Sequence, residues 1–279
     1  MKEDSLEKAI EHYLQAPDTD FWGVLSNPLM RVRNFMVVYP TRRMAFHRAV
    51  DFACGLGIIL AQLSDRISRG VGLDGAAPAI ERARRLYQDK RNLQFRVGKL
   101  SDLYECLVEE KTDLLILSDC LTYFDRGQQR EIMKQAFDAG VDYLLLEAAI
   151  IDPNCPGSRE YYEESSFKTA GEIYRFLGDC GYEAIRVNAS RFYAKNDIWK
   201  RTSYPRSSRI TALWLRRAID IFTAGFSLVG RFRGDLFYDP LVLRQRLIVA
   251  SWLYSLPGMK RMVEPMIGFL AILGRRKNP

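Results

Sequence analysis

The chain has 279 residues, 48% of them hydrophobic and 27% charged, with a formal net charge of +7. That length holds one large domain, or one domain with a substantial insertion, and that composition excludes a disordered chain. The charge is uneven: residues 195–279 hold 16 Lys and Arg against 5 Asp and Glu, which leaves residues 1–194 slightly acidic and points to an anionic partner for the basic part.

Five cysteines stand at 54, 106, 120, 155 and 180. Their odd number, wide spacing and lack of a CxxC pair argue against a disulfide framework or a zinc site, so no metal is expected and free thiols of a reducing compartment fit. The segment MKEDSLEKAIEHYLQ lacks the basic start and apolar run of a signal peptide, and the uncharged run Leu247–Met259 is shorter than the roughly 20 apolar residues of a spanning helix. A cytoplasmic location is expected, with peripheral contact at a membrane surface as the one membrane role left open.

In chain order, Leu6, Ile10 and Leu14 mark an amphipathic helix over Ser5–Gln15, and Asn27-Pro28 starts a second. From about residue 48 to 190, apolar runs alternate with helical stripes. Strands are predicted at Arg48–Ala53, Gly70–Asp74, Leu93–Val97, Asp113–Ser118, Tyr143–Ile150 and Tyr182–Asn188. Helices are predicted at Gly57–Ile67, Ala77–Gln88, Leu103–Glu109, Arg126–Asp138 and Phe167–Cys180. This alternation predicts a doubly wound, Rossmann-like α/β sheet. Residues 195–264 then read as two helices around the turn-rich GRFRGDLFYDP, with Ile210, Leu213, Trp214, Ala218 and Ile221 forming an apolar stripe on the first, expected to pack inward on the sheet unless the helix binds a membrane surface, and Arg209, Arg216 and Arg217 off it.

The most informative segment is RAVDFACGLGIILAQLS. Asp51 closes the first strand, and Ala53, Cys54, Gly55, Leu56 and Gly57 turn into a helix. Glycines there permit unusual backbone angles and let a ligand approach the main chain. The next strand ends in VGLD, so Asp74 and Gly75 sit at the neighbouring carboxyl edge, where a carboxylate can accept both hydroxyls of a ribose. An ordinary dinucleotide site would want a third glycine inside the helix, but Ile59 and Leu60 follow Gly57.

These residues resemble the class I S-adenosylmethionine-dependent methyltransferases. Their DxGxGxG turn is similar to the segment from Asp51, with Ala53 in place of the first glycine and Ile59 in place of the last. GLDGAAPAIERAR, NLQFRVGKLSDL, TDLLILSDCLTYF and SFKTAGEIYRFLGDCGYEAI resemble the family's later segments in order, although Lys99 stands where an Asp is common. GFLAILGRRK resembles the last strand of the hairpin that closes a seven-stranded sheet. The resemblance implies an N-terminal helical lid over residues 1–44, in which Tyr13 and Trp22 would cover the site. It further implies a cofactor-binding core over 45–194, a basic helical insertion over 195–264 and a final strand with basic tail over 265–279.

It also implies S-adenosylmethionine as cofactor, held by Asp51, Ala53, Cys54, Gly55, Gly57, Asp74, Gly75, Leu100, Ser118 and Asp119. Tyr123, Tyr161 and Tyr162 fall where substrate contacts are expected. Asp119, Glu147 and His47 are the groups that can take a proton. Each has a plainer reading: Asp119 as a turn residue, Glu147 in a structural ion pair with a nearby Arg, His47 as a surface or structural group. The expected activity is methylation of an oxygen or nitrogen on a small molecule, such as a secondary-metabolite or glycoconjugate precursor. The alternative is an inactive cofactor-binding or membrane-surface module. The arginine excess suits an acceptor that bears phosphate or is carrier-bound or lipid-linked, or else a membrane surface, with nucleic acid a distant third. Nothing in the sequence indicates the oligomeric state.

Overall fold

The computed structural model describes residue 25 and residues 27–150, 167–192, 198, 204–226 and 240–277. Helix α1 (Pro28–Val38) begins where Asn27 accepts the Leu29 N–H at 2.9 Å and Pro28 takes the first helical position, where no amide bond is lost. Seven strands follow: β1 (Phe46–Phe52), β2 (Ile67–Asp74), β3 (Leu93–Val97), β4 (Leu114–Ser118), β5 (Tyr143–Ala149), β6 (Tyr182–Phe192) and β7 (Ile267–Arg276). They form one sheet in the order β3-β2-β1-β4-β5-β7-β6. The first five are parallel, and β7 runs antiparallel between β5 and β6. The central strands are apolar on both faces because helices cover both.

Helices α2 (Ile58–Leu63) and α3 (Ala77–Leu86), with the end of α1, cover one face. They meet Ala49, Leu114, Ile116 and Leu145 in one core. On the other face α4 (Leu103–Glu109), α5 (Arg126–Asp138) and α6 (Ala170–Asp179) enclose Val50, Leu115, Leu117, Leu144 and Leu146. Strand order reverses between β1 and β4, so the crevice at their carboxyl ends is where such a sheet places a ligand.

Between β6 and β7 the described residues form a cap of three helices, α7 (Arg206–Phe226), α8 (Pro240–Ser255) and α9 (Lys260–Val263). Helix α8 is pinned to β6 where the Ala189 N–H donates to the Ser251 hydroxyl at 2.9 Å, and to α7 through Arg246 and Asp220 at 3.2 Å.

The predicted elements recur with shifted ends. Strands β1 and β2 begin two and three residues earlier than the apolar runs, because parallel pairing extends to Phe46 and Ile67. The helix predicted over Gly57–Ile67 stops at Leu63, and Ser64–Arg66 form a 3-10 turn that delivers Ile67 into β2. One expectation is reversed. Of the supposed inward stripe on α7, only Leu213 packs against the core, whereas Ile210, Trp214, Ala218 and Ile221 are exposed. The inward face is built from Ala212, Leu215, Ile219 and Thr223 instead. Arg216, expected in water, is part-buried, and desolvation lowers its pKa. The helix predicted over Ser5–Gln15, the residues Tyr13 and Trp22 of the lid, and nearly all of the loop from Gly230 lie outside the described residues.

Candidate functional site

At the carboxyl end of β1 the chain makes a tight turn. Ala53, Gly55 and Gly57 all have positive φ, at 55°, 51° and 70°. Gly57 has a second constraint, because a Cβ there would lie 2.2 Å from Cε1 of Phe95. Ala53 is the one L-residue of the three, and a left-handed L-residue costs about 1–2 kcal/mol. Ala53→Gly is therefore expected to raise the melting temperature slightly, with a gain of about 1 kcal/mol, measurable by thermal denaturation. A lower melting temperature would mean that the Ala53 methyl, which packs at the edge of the core, outweighs the backbone strain.

Asp74 ends β2 beside this turn and holds it. One carboxylate oxygen accepts the Gly55 N–H and the other the Ala76 N–H, each at 2.8 Å. A carboxylate has about four acceptor sites, so about two remain for a ligand. Burial raises the Asp74 pKa, opposed by the two amide bonds from Ala76 and Gly55. Asp51 is buried at the end of β1. Burial, with the charge of Asp74 adding, raises its pKa to about 8, against the Leu60 amide and the Arg33 charge.

An acid with a raised native pKa binds more protons folded than unfolded between about pH 4 and 8. The Asp51 contribution to stability therefore falls as pH rises through that window, by at most about 1.4 kcal/mol per pH unit, and levels off above it. Denaturation followed from pH 5 to 9 should show this slope, and Asp51→Asn should flatten it. An equal slope in the variant would place the titration elsewhere.

Across the switch point, Ser118 ends β4 in register with Glu147 on β5. Glu147, 1% exposed, is gripped by four donors. Arg33 on α1 donates Nε to Oε1 at 2.9 Å and Nη2 to Oε2, Ser118 donates its hydroxyl to Oε2 at 2.9 Å, and Ser190 on β6 donates to Oε1 at 2.8 Å. This geometry fills all four acceptor sites and leaves no lone pair for an incoming proton. It corrects the reading of Glu147 as a general base: the carboxylate anchors Arg33 in the structural ion pair. Burial works against the Arg33 charge, but Glu147 and Asp119 hold its pKa above the ordinary value.

Asp119 follows β4 with a left-handed φ of 56°. Its Oδ2 lies 3.3 Å from Arg33 and 3.7 Å from Arg191 of β6, whose guanidinium rests over the Phe269 ring. Burial raises the Asp119 pKa, Arg33 and Arg191 oppose the rise, and Glu147 adds to it. Unlike Glu147 it stays accessible, with a side chain 31% exposed.

His47 is not brought to this edge, which corrects its place among the groups that could take a proton. It sits exposed at the opposite end of β1 from the glycine turn, where its backbone N–H donates to Asp113 at 2.8 Å. Cys54 and Gly75 belong to the turn regions flanking Asp74, and Leu100 lies part-buried in the 3-10 turn after β3. There Asp102 turns back onto the Lys99 N–H at 2.8 Å and the Ser101 hydroxyl. Tyr123 packs part-buried near the Arg33 charge. Tyr161 and Tyr162 lie outside the described residues. Arg33, Ser190 and Arg191 are the site residues that sequence reasoning missed. The available signal was Glu147 itself, since a carboxylate inside YLLLEAAI requires a buried partner, and Arg33 shares a helix face with buried Met36 and Val37.

A ligand with a ribose and a positive centre fits these acceptors. Asp74 has acceptor sites to spare, and the mutual repulsion of Asp51 and Asp74 is relieved by a cation. A methyltransferase-domain family model matches residues 49–139, which run from β1 to the end of α5 and carry the glycine turn, Asp74 and Asp119. No curated protein matches the sequence. Among solved structures the chain is similar in fold to the N-methyltransferase NodS of Bradyrhizobium japonicum in complex with S-adenosylhomocysteine. That match has 14% identity and a TM-score of 0.53, and covers 68% of this chain and 92% of that one. The chain solved in complex with the Haloferax volcanii Trm112 methyltransferase activator gives 14% identity and a TM-score of 0.52 over 99% and 97% of the two chains. Magnesium protoporphyrin IX methyltransferase of Synechocystis with S-adenosylhomocysteine gives 15% and 0.50 over 67% and 95%.

Proposed function

We propose that this chain, which carries a class I S-adenosylmethionine-dependent methyltransferase domain, transfers the cofactor's methyl group to an oxygen or nitrogen of a small, anionic molecule. Bound S-adenosylmethionine supplies a sulfonium methyl group open to in-line attack. Asp74 accepts the ribose hydroxyls, and the Ala53–Gly57 turn lets the cofactor approach the backbone. Asp51 favours the cationic cofactor, and Ser118, Leu100, Cys54 and Gly75 line its path. Asp119 stands at the acceptor side, and its raised pKa suits a group that takes a proton from a hydroxyl or ammonium acceptor. Tyr123, with Tyr161 and Tyr162, would contact that acceptor, a secondary-metabolite or glycoconjugate precursor. Arg191, held only loosely by Asp119 at 3.7 Å, offers its charge to a carboxylate or phosphate.

The observation that best supports this reading is the meeting, at one sheet edge, of Asp74 over the glycine turn with Asp119 beside the Arg33–Glu147 pair. The test is release of S-adenosylhomocysteine across a panel of amines and alcohols with and without phosphate or carboxylate groups. Turnover confined to anionic acceptors, and weakened in KM by Arg191→Ala, is the expected result. Turnover that ignores acceptor charge would remove Arg191 from the site. Cofactor binding that shifts Asp51 to its charged form should also release a proton, so affinity rises with pH up to about 8.

A further inference from the structure

The reversed face of α7 is the least expected feature of the molecule. Ile210, Trp214 and Ile221 lie on one stripe of that helix and are 38%, 67% and 67% exposed. Phe222, also exposed, continues the stripe into a shallow groove of about 230 Å³ between α7 and α8, whose other walls are Thr223, Gln245, Ile248 and Val249. One turn beyond Ile248 on α8, Trp252 is 60% exposed. Single exposed apolar residues are ordinary, but a run of large ones on two adjoining helices marks a surface that meets something.

Charge identifies the partner. The described cap residues 204–226 and 240–266 hold eight Lys and Arg against two acids. Asp220 pairs with Arg246, which is itself buried, and Glu264 accepts the Ala170 N–H, while Arg217, Lys260 and Arg261 are exposed. Exposed Arg217 borders the α7 stripe, and Lys260, Arg261 and exposed Met262 lie on α9, which packs against α7. A second copy set face to face would bring two basic surfaces together. An exposed tryptophan with an arginine one turn away, as Trp214 and Arg217 are on α7, by contrast suits the headgroup region of an anionic bilayer. Among the described residues no helix is long and apolar enough to cross a membrane, so the contact is with the surface. We propose that the outward face of α7 and α8, with Trp214 and Trp252 as anchors, docks the protein on an anionic lipid surface.

The full chain is floated with vesicles of phosphatidylcholine alone and with vesicles that include phosphatidylglycerol, at about 50 mM and about 500 mM salt, across which screening of the charges rises strongly. Flotation with the anionic vesicles at low salt, lost at high salt, is expected. Trp214→Ser with Trp252→Ser should cut vesicle affinity by roughly tenfold or more, in line with removal of two interfacial aromatic anchors. Both side chains are exposed, so the variant should melt like the parent protein. Failure to float with anionic vesicles overturns the proposal, as does equal flotation with neutral ones or unchanged flotation of the folded double variant. Self-association removed by the same two substitutions would assign the face to a second copy and overturn it as well.

Discussion

Arg33→Met is expected to destabilise the protein by about 3–5 kcal/mol, the loss seen when one member of a buried ion pair is removed. The reason lies in what remains. Glu147 would be left without its cation, with only the Ser118 and Ser190 hydroxyls as donors, in a buried site. The double variant Arg33→Met with Glu147→Gln removes both charges and leaves a neutral acceptor for the two hydroxyls. It should recover most of the loss, because the pair's desolvation cost disappears with its attraction. Chemical denaturation of the two single variants and the double one forms a cycle. Additive losses would show that Arg33 and Glu147 do not act as a pair. The same pair ties α1, which precedes the matched methyltransferase domain, to β5 of the sheet.

Asp74→Ala should weaken S-adenosylmethionine binding by roughly 100-fold or more, because the proposed ribose contact would lose two hydroxyl bonds to a charged acceptor, each worth about 1.5–3 kcal/mol. The Gly55 and Ala76 amides would also lose their acceptor, so the turn itself would be less ordered. Asp102→Ala is the control. That carboxylate is exposed and occupied by the Lys99 amide and the Ser101 hydroxyl, which hold its pKa low, and its loss should leave cofactor affinity within about threefold. Titration calorimetry separates the two. Equal effects would move the ribose contact away from Asp74.

The sheet was legible in the sequence because buried parallel strands write themselves as unbroken apolar runs, as in DLLILS and YLLLEAAI. The glycine turn and Asp74 were legible because their chemistry is local: the turn, the strand end and the acid lie within 24 residues. The partners of Glu147 were not. Arg33 meets Glu147 across 114 residues, and Ser190 meets it across 43, so no local pattern joins them. Periodicity on α7 found an apolar stripe but carried no information about which way it faces. The helix uses small and medium residues inward and leaves its tryptophan outside, which a hydrophobic pattern alone reads backwards. His47 failed for a related reason. Its place at the start of β1 put it near the glycine turn in sequence but at the other end of the strand in space.

Cofactor binding at this sheet edge, on which the proposed methyl transfer depends, is tested most directly by calorimetric titration of the full chain with S-adenosylhomocysteine, a ligand that needs no knowledge of the acceptor. One site per chain is predicted, with a Kd of roughly tens of micromolar or tighter, about −6 kcal/mol or better, weakened strongly by Asp74→Ala. A folded protein that shows no heat of binding at millimolar ligand would contradict it.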